Sequence, residues 1–389
     1  MTTILLAAAE PSGDAMGAAL MVALRARVPD ARLIGCGGAA MAGQGLRSAF
    51  DTAPLAVMGL GDALRAVPAA LGGARRLAGL ARAERADAAV LIDAWGFSRL
   101  AGAGIARASP ETALVKLAAP QVWASRPGRA EAVRDRFDLV LTLLPFEPDL
   151  FRGLGTRAVF VGNPNFRAAA DAPRDGAAFR ARHGLGDAPV LVVLPGSRAG
   201  EVARLAPVFA EAARRTLARV PGCRAVIVAA PAVEDAVRRA VWPDGTVTVP
   251  AGDRFDAFDA ADAALAKSGT VTTELAVRGV PMTVAYRTGA LTAAWARRAV
   301  IAPYVSILNV AANAPVVPER LQEDCAPDVL TDDLVRLLTD ANAREAQRAA
   351  FARHVPALVG EGDAAGRAAD EIVALVRERE RPRHLDAGA

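Results

Sequence analysis

Short apolar segments that alternate with helix-like stretches constrain the fold of this 389-residue chain more than any other feature. The segments are bounded by Gly, Pro or Asp, which favours buried strands. Strands that alternate with helices form parallel sheets covered on both faces, and such sheets bind ligands beyond the carboxyl ends of their strands. The strands are predicted in two series, at residues 4–8, 31–36, 88–93, 113–117 and 139–144, and at residues 190–194, 225–229, 246–249, 263–266 and 282–286.

The alternating pattern is interrupted once, between residues 165 and 189, where Ala, Asp, Pro and Gly predominate. A chain of this length exceeds the size of most single cores, so two domains are expected. We therefore predict an α/β protein with two doubly wound lobes and a cleft between them. The lobes comprise residues 1–168 and 169–358, and residues 381–389 are expected to fray.

Composition argues against several classes of protein. No apolar run reaches the roughly 18 residues of a membrane-spanning helix, and the N-terminus lacks the basic segment of a signal peptide, so we expect a cytoplasmic protein. The three cysteines and three histidines are scattered, which argues against disulfides, a zinc site or a histidine base. The net charge of +4 comes from arginine. This positive charge suits anionic substrates or an anionic membrane surface. The alternative is that the arginines simply form a solvated surface. No nucleic acid partner is expected.

Two loops after predicted strands have the composition of phosphate-binding turns, at residues 196–198 and 268–270. Each precedes a predicted helix whose first N–H groups can bind an anion, and Arg198 adds a guanidinium suited to phosphate oxygens. Glu274, about one turn into the second helix, can accept ribose hydroxyls; the alternative is an ordinary helix cap with a first-turn Glu. Because the chain lacks a P-loop, we predict a bound nucleotide diphosphate that is not hydrolysed.

Short motifs follow one another along nearly the whole chain, at residues 10–14, 55–59, 145–147, 194–202, 268–274, 281–287, 304–309 and 318–322. Their order and spacing resemble the lipid-A-disaccharide synthase family, inverting glycosyltransferases with two Rossmann-like lobes of the GT-B type. The resemblance implies transfer of a sugar from UDP-2,3-diacylglucosamine to the 6-hydroxyl of 2,3-diacylglucosamine 1-phosphate, with release of UDP. It implies no metal and no other cofactor.

Inverting transfer needs a base for the acceptor hydroxyl and charge stabilisation for the departing diphosphate. Asp93, at the end of a predicted strand, is the candidate base and matches the proposed catalytic Asp of the family, although it could instead cap a helix. Arg198 is the candidate for the diphosphate. The predicted donor residues are Gly196, Ser197, Arg198, Ser268, Gly269, Thr270, Glu274, Tyr286, Asn309 and Glu319. The predicted acceptor residues are Glu10, Ser12, Asp14, Met58, Trp123, Arg126 and Asn163, of which Glu10 and Asp14 either orient the acceptor or cap the first helix.

The chain departs from the family pattern in the first lobe or at its exit. Gly96, Ser125 and Asn163 stand where the family commonly has Asp, Trp and His, and Ala9 replaces a glycine. The donor motifs are intact, so we expect UDP-sugar binding with altered acceptor or acyl-chain recognition. Two alternatives stay open: another metal-free two-lobed UDP-sugar enzyme, such as an epimerase, and a non-catalytic paralogue that binds UDP-sugar or acylated sugar.

Two stretches combine apolar and basic residues, at residues 64–80 with Arg75 and Arg76, and at residues 290–301. They suit insertion at the anionic inner face of the cytoplasmic membrane; the alternative for each is a core-facing amphipathic helix. An amphipathic helix near residues 360–380 either packs back on the first lobe or pairs with the same helix of a second subunit in a homodimer.

Overall fold

The computed structural model describes residues 1–55, 60–289, 293 and 301–380. Internal contacts divide the chain into two units, one formed by Met1–Pro164 with the segment from Gly360 on, the other by Asn165–Val359. The predicted boundary after residue 168 lies close to this division. Met58, most of the predicted stretch 290–301 and the tail 381–389 lie outside the described residues.

The first unit contains a parallel sheet whose strands are β1 (Thr3–Ala8), β2 (Arg32–Cys36), β3 (Ala88–Ile92), β4 (Ala113–Leu117), β5 (Leu139–Thr142) and β6 (Ala158–Phe160). They lie in the order β2-β1-β3-β4-β5-β6. The strand order reverses direction at β1 and β3, and the carboxyl edge next to such a reversal is where open α/β sheets bind ligands.

The second unit contains a parallel sheet of β7 (Val190–Leu194), β8 (Arg224–Ala229), β9 (Val247–Pro250), β10 (Ala263–Lys267), β11 (Met282–Tyr286) and β12 (Glu319–Leu321). Their order is β12-β11-β10-β7-β8-β9, with the reversal at β7 and β10. The predicted α/β class with two doubly wound sheets is confirmed. Two short strands at the sheet edges, β6 and β12, were not predicted from the sequence.

Helices separate successive strands and cover the sheets. In chain order they are α1 (Pro11–Arg27), α2 (Ala39–Gly43), α3 (Leu60–Ala83), α4 (Trp95–Ala108), α5 (Arg129–Arg134), α6 (Glu147–Arg152), α7 (Pro164–Asp171), α8 (Gly176–Arg182), α9 (Ala199–Arg219), α10 (Glu234–Arg239), α11 (Arg254–Ala260), α12 (Thr270–Val277), α13 (Ile307–Ala312), α14 (Pro327–Thr339), α15 (Ala341–Val359) and α16 (Ala364–Glu380). Across the part of the chain that the structure describes, no helix has both the length and the apolar character needed to cross a bilayer.

Both faces of the first sheet are buried, which explains why β1 is a continuous apolar run rather than an alternating one. Ile4 and Leu6 pack on the face covered by α1 and α16, and Leu5 and Ala7 pack on the face covered by α3 and α4. Helix α16 therefore contributes to the core of the first unit. Its fully buried Ile372 is one of the residues packed there.

Candidate functional site

Asp93 lies directly after β3, at the carboxyl edge of the first sheet and next to its strand reversal. Ser12 Oγ, in the first turn of α1, donates a hydrogen bond of 2.9 Å to Asp93 Oδ2. The structure thus brings together the candidate base and one of the predicted acceptor residues.

The backbone turns sharply at the end of β3. Asp93 and Ala94 both have left-handed backbone conformations, with φ of 50° and 37°. Ser98 Oγ donates to the Asp93 carbonyl oxygen at 2.7 Å, and the Asp93 N–H donates to the Leu117 carbonyl oxygen at 2.9 Å. Asp93 is therefore held through its backbone as well as through its carboxyl group.

Asp14 has a role that neither of the two predicted alternatives described. Its carboxylate accepts hydrogen bonds from the backbone N–H groups of Gly38, Ala40 and Met41, at 2.7, 2.8 and 3.1 Å. These are the first N–H groups of α2 and its preceding residue, which lack partners within the helix. Asp14 therefore caps α2 instead of α1. Glu10 lies at the N-cap position of α1, where its side chain makes no capping hydrogen bond.

Trp123 is held by a buried carboxyl group. Its Nε1 donates to Glu147 Oε1 at 3.2 Å, and its ring packs edge-on against Phe146 with centroids 5.5 Å apart. Glu147 Oε2 accepts from the Leu144 N–H at 3.2 Å. Burial raises the pKa of Glu147 to about 7, although the hydrogen bond from Trp123 opposes the shift. Glu147 belongs to the motif at residues 145–147 but was not predicted as a site residue.

The acceptor roles of all these residues stay predictions, as do those of Arg126 and Asn163. Arg126 is exposed and has a left-handed backbone conformation, with φ of 54°. Asn163 is buried and follows Gly162, whose φ of 101° favours glycine.

In the second unit, Gly196, Ser197 and Arg198 connect β7 to α9. Gly196 has a φ of 124°, and a Cβ there would lie 2.8 Å from Glu201 Oε2, so the turn requires glycine. The Arg198 side chain is 63% exposed. The loop therefore places an accessible guanidinium directly before the N-terminus of α9, an arrangement that can bind an anion.

Glu201 joins this loop to the end of β10. Its Oε2 accepts from the Ser197 N–H at 3.2 Å, and its Oε1 accepts from Arg198 Nη1 at 3.3 Å and from Lys267 Nζ at 3.0 Å. Burial acts to raise the pKa of Glu201, but the charge and hydrogen bond of Lys267, with those of the loop, lower it overall. The sequence analysis named neither Glu201 nor Lys267 as a site residue.

The second predicted phosphate loop is also fixed by local contacts. Ser268 Oγ donates to the Val305 carbonyl oxygen at 3.2 Å, and Thr272 Oγ1 donates to the Gly269 carbonyl oxygen at 2.8 Å. Thr270, the first residue of α12, is exposed. Glu274 is buried and accepts from Arg254 Nε at 3.1 Å, and burial raises its pKa.

Three further predicted donor residues lie near these loops. Glu319 accepts from the Val305 and Ser306 N–H groups at 2.9 and 2.8 Å and from Asn309 Nδ2 at 2.9 Å. Because Val305 also binds Ser268, these bonds connect the second loop to β12. The Tyr286 ring lies 5.4 Å from Lys267 Nζ, a cation–π distance.

Comparisons with known proteins cover nearly the whole chain. The family model for lipid-A-disaccharide synthetase matches residues 4–368. A lipid-A-disaccharide synthase from Rhodospirillum centenum is 42% identical over 386 residues, which covers 97% of this chain and 95% of the relative.

Two solved structures share the fold. The calicheamicin glycosyltransferase CalG4 is 18% identical, with a TM-score of 0.59, and the match covers 98% of this chain and 100% of that one. The UDP-GlcNAc 2-epimerase from Neisseria meningitidis, bound to UDP-GlcNAc, is 10% identical, with a TM-score of 0.61 and a coverage of 97% and 100%. At these identities, the two structures show similarity of fold alone.

Proposed function

Because this chain belongs to the lipid-A-disaccharide synthetase family, we infer that it is the UDP-sugar-dependent glycosyltransferase that forms the lipid A disaccharide. The observation that carries this conclusion is the family match over residues 4–368, which includes both units. The two-lobed α/β fold shared with a glycosyltransferase agrees with it. We propose that the substrates are UDP-2,3-diacylglucosamine and 2,3-diacylglucosamine 1-phosphate.

We propose that the second unit binds the UDP-sugar at the carboxyl ends of β7 and β10. These strands are hydrogen-bonded neighbours, so the loops that follow them lie side by side. The exposed Arg198 and the N-terminus of α9 offer positive charge to the diphosphate, and Lys267 adds an ammonium group beside them. As the sugar leaves, negative charge grows on the diphosphate, and Arg198 stabilises it.

Asp93 is proposed as the general base of the first unit. In the transfer step the acceptor 6-hydroxyl oxygen forms a bond to the anomeric carbon, and its proton passes to the Asp93 carboxylate. The bond between the anomeric carbon and the diphosphate oxygen breaks, and its electron pair leaves with UDP. Attack from the side opposite the leaving group inverts the anomeric centre. The strand-end position of Asp93 and its hydrogen bond from Ser12 support this role.

We also propose that α3 contacts an anionic membrane surface, the source of the acylated substrates. One side of this helix packs into the core through Leu77 and its neighbours. Val67 and Leu71 are 46% and 40% exposed, and Arg75 and Arg76 are exposed beside them. The buried residues of α3 agree with the core-facing alternative, and the exposed apolar and basic residues support the proposed membrane contact.

The function is tested by incubating the purified protein with the UDP-sugar and the 1-phosphate acceptor, with and without a chelator. We expect mass spectrometry to detect the disaccharide 1-phosphate and UDP in both reactions. Release of UDP without disaccharide would indicate a different acceptor. Binding of the UDP-sugar without any product would indicate the non-catalytic paralogue.

The role of Asp93 is tested with Asp93→Asn, which keeps the size of the side chain but removes its basicity. Turnover should be lost, while the dissociation constant for UDP should stay within about two-fold because the second unit is unchanged. Asp135→Asn makes the same change at an exposed ion pair of the first unit and should retain activity. Full activity of Asp93→Asn would remove Asp93 from the mechanism.

A further inference from the structure

Lys116 is a fully buried lysine within β4, in the otherwise apolar strand Ala-Leu-Val-Lys-Leu. Its Nζ donates to the carbonyl oxygens of Leu91, Asp93 and Leu117, at 3.2, 2.6 and 3.1 Å. An ammonium group has three N–H donors, so these carbonyl groups can satisfy all of them. Desolvation of the buried charge lowers the pKa of Lys116 to about 7, and the negative charges of Asp93 and Glu10 oppose the shift.

The carbonyl groups that bind Lys116 belong to a strained part of the backbone. Asp93 and Ala94 at the end of β3, and Ala118 after β4, have left-handed conformations, with φ of 50°, 37° and 61°. This conformation is unfavourable for alanine. Such residues persist only where the surrounding structure fixes them, and they cluster at functional sites.

Lys116 contacts the peptide groups at which these turns begin. The Asp93 carbonyl belongs to the peptide that joins Asp93 to Ala94, and the Leu117 carbonyl belongs to the peptide that joins Leu117 to Ala118. The Leu117 oxygen also accepts the Asp93 N–H at 2.9 Å. One ammonium group therefore contacts the carboxyl ends of β3 and β4, two hydrogen-bonded strands, at Asp93 and Leu117.

We propose that Lys116 is a positioning residue for sugar transfer: its ammonium group ties the ends of β3 and β4 together and holds Asp93 in the left-handed turn from which its carboxylate meets the acceptor hydroxyl. This inference rests on the role proposed above for Asp93. An apolar side chain of the same length would fill the space but leave the three carbonyl oxygens without this donor.

The test is Lys116→Met, assayed for disaccharide formation. We expect kcat to fall by about ten- to a hundred-fold, the cost of displacing a catalytic group by a fraction of an ångström to an ångström. The KM for the UDP-sugar should stay within about two-fold, because the donor loops belong to the other unit. Hydrogen exchange should accelerate at Asp93 and Ser98. Lys116→Gln, whose amide supplies only part of the N–H donors of the ammonium group, serves as the second variant. Its kcat should lie between that of Lys116→Met and that of the wild type.

Val115→Ala is the matched control. Val115 is the adjacent, fully buried residue of β4 and faces the opposite side of the sheet, so its truncation destabilises the first unit but keeps the ammonium group. We expect it to lower the thermal midpoint and leave kcat near the wild-type value. Wild-type kcat in both Lys116 variants, or an equal loss in Val115→Ala, would overturn the inference.

The parallel measurement of Asp93→Asn separates this inference from the proposed function. An inactive Asp93→Asn beside fully active Lys116 variants would refute the positioning role alone. An active Asp93→Asn would refute the role of Asp93 as the base, on which the inference rests. An inactive Asp93→Asn, a low kcat in Lys116→Met and a normal kcat in Val115→Ala together support it.

Discussion

At the scale of single residues, Glu147 shows how burial changes acid–base behaviour in the first unit. It is 3% exposed, and burial raises its pKa from 4.5 to about 7. Between these two values the folded protein holds a proton that the unfolded chain releases, so the free energy of unfolding decreases as pH rises through this window. Below pH 4.5 and above pH 7 this group adds no further pH dependence.

We therefore predict that the stability of the wild-type protein falls by about 3 kcal/mol between pH 5 and pH 8 relative to Glu147→Gln, which cannot ionise. Denaturant unfolding at both pH values measures the difference. Glu131→Gln, at an exposed carboxyl group of α5, serves as the control and should follow the wild type. Equal pH slopes for the wild type and Glu147→Gln would show that Glu147 does not carry this proton.

Asp93 and Arg198, the two residues that the sequence assigned to catalysis, share the property that each follows a predicted strand. Asp93 and Arg198 could be placed at a sheet edge because β3 and β7 end just before them. The contacts of Lys116 with Leu91 and Asp93, and the ion pair of Glu201 with Lys267, could not be predicted in this way, because only the folded chain brings these groups together. A lysine inside an apolar strand was nevertheless a visible signal, since a buried ammonium group needs a specific set of acceptors.

For Asp14, the sequence predicted a helix cap but not the helix that is capped. Its position in the first turn of α1 suggested a local cap, but its hydrogen-bond partners begin at Gly38, in a different loop. Sequence spacing describes contacts within one helix and carries no information about which neighbouring helix a side chain caps. The same limit applies to Glu319, whose partners are the backbone N–H groups of Val305 and Ser306 before α13 and the side chain of Asn309 within it.

At the scale of secondary structure, the length of an element determined whether it could be predicted. Interior strands such as β3 and β7 are continuous apolar runs, because both faces of each sheet are covered. The edge strands β6 and β12 have three residues each, and Glu319–Leu321 is only partly buried. Three residues are too few to show a period, and an edge position does not demand apolar residues.

Helix α3 gives a prediction at this scale, because packing in the core does not account for its exposed apolar residues Val67 and Leu71. Replacing Val67 and Leu71 with Gln should weaken binding to vesicles that contain phosphatidylglycerol. Replacing Arg75 and Arg76 with Gln should weaken binding by ten-fold or more and reduce its salt dependence, since each basic residue near an anionic surface contributes about 1 kcal/mol. Co-sedimentation with vesicles at low and high salt measures both effects.

The control for this experiment is Val22→Gln on α1, at a valine that is 53% exposed and lies outside the proposed membrane contact. It should bind vesicles as the wild type does. Wild-type binding by the α3 variants, or the same loss in Val22→Gln, would contradict a specific membrane contact by α3.

At the scale of the whole molecule, the chain passes from the first unit to the second after Pro164 and returns after Val359. The sequence left two partners open for α16, because an apolar stripe shows that a helix is covered but does not identify what covers it. In the structure its apolar residues pack beside Leu20 and Leu24 of α1. Arg27 adds an ion pair with Asp370 at 2.5 Å.

The stability of the first unit should therefore depend on α16, which follows the second unit in the sequence. We predict that Ile372→Ala lowers the stability of the first unit by about 3 kcal/mol, the cost of a buried cavity, while the second unit is unaffected. Hydrogen exchange should accelerate in β1 and α1 but not in β7 and α9, and UDP affinity should be unchanged. Ile301→Ala, at an isoleucine that is 56% exposed, should leave both units protected from exchange.

If α16 instead paired with a second subunit in solution, the loss of protection would depend on protein concentration. Exchange rates that are the same across a ten-fold dilution would place the helix within its own chain.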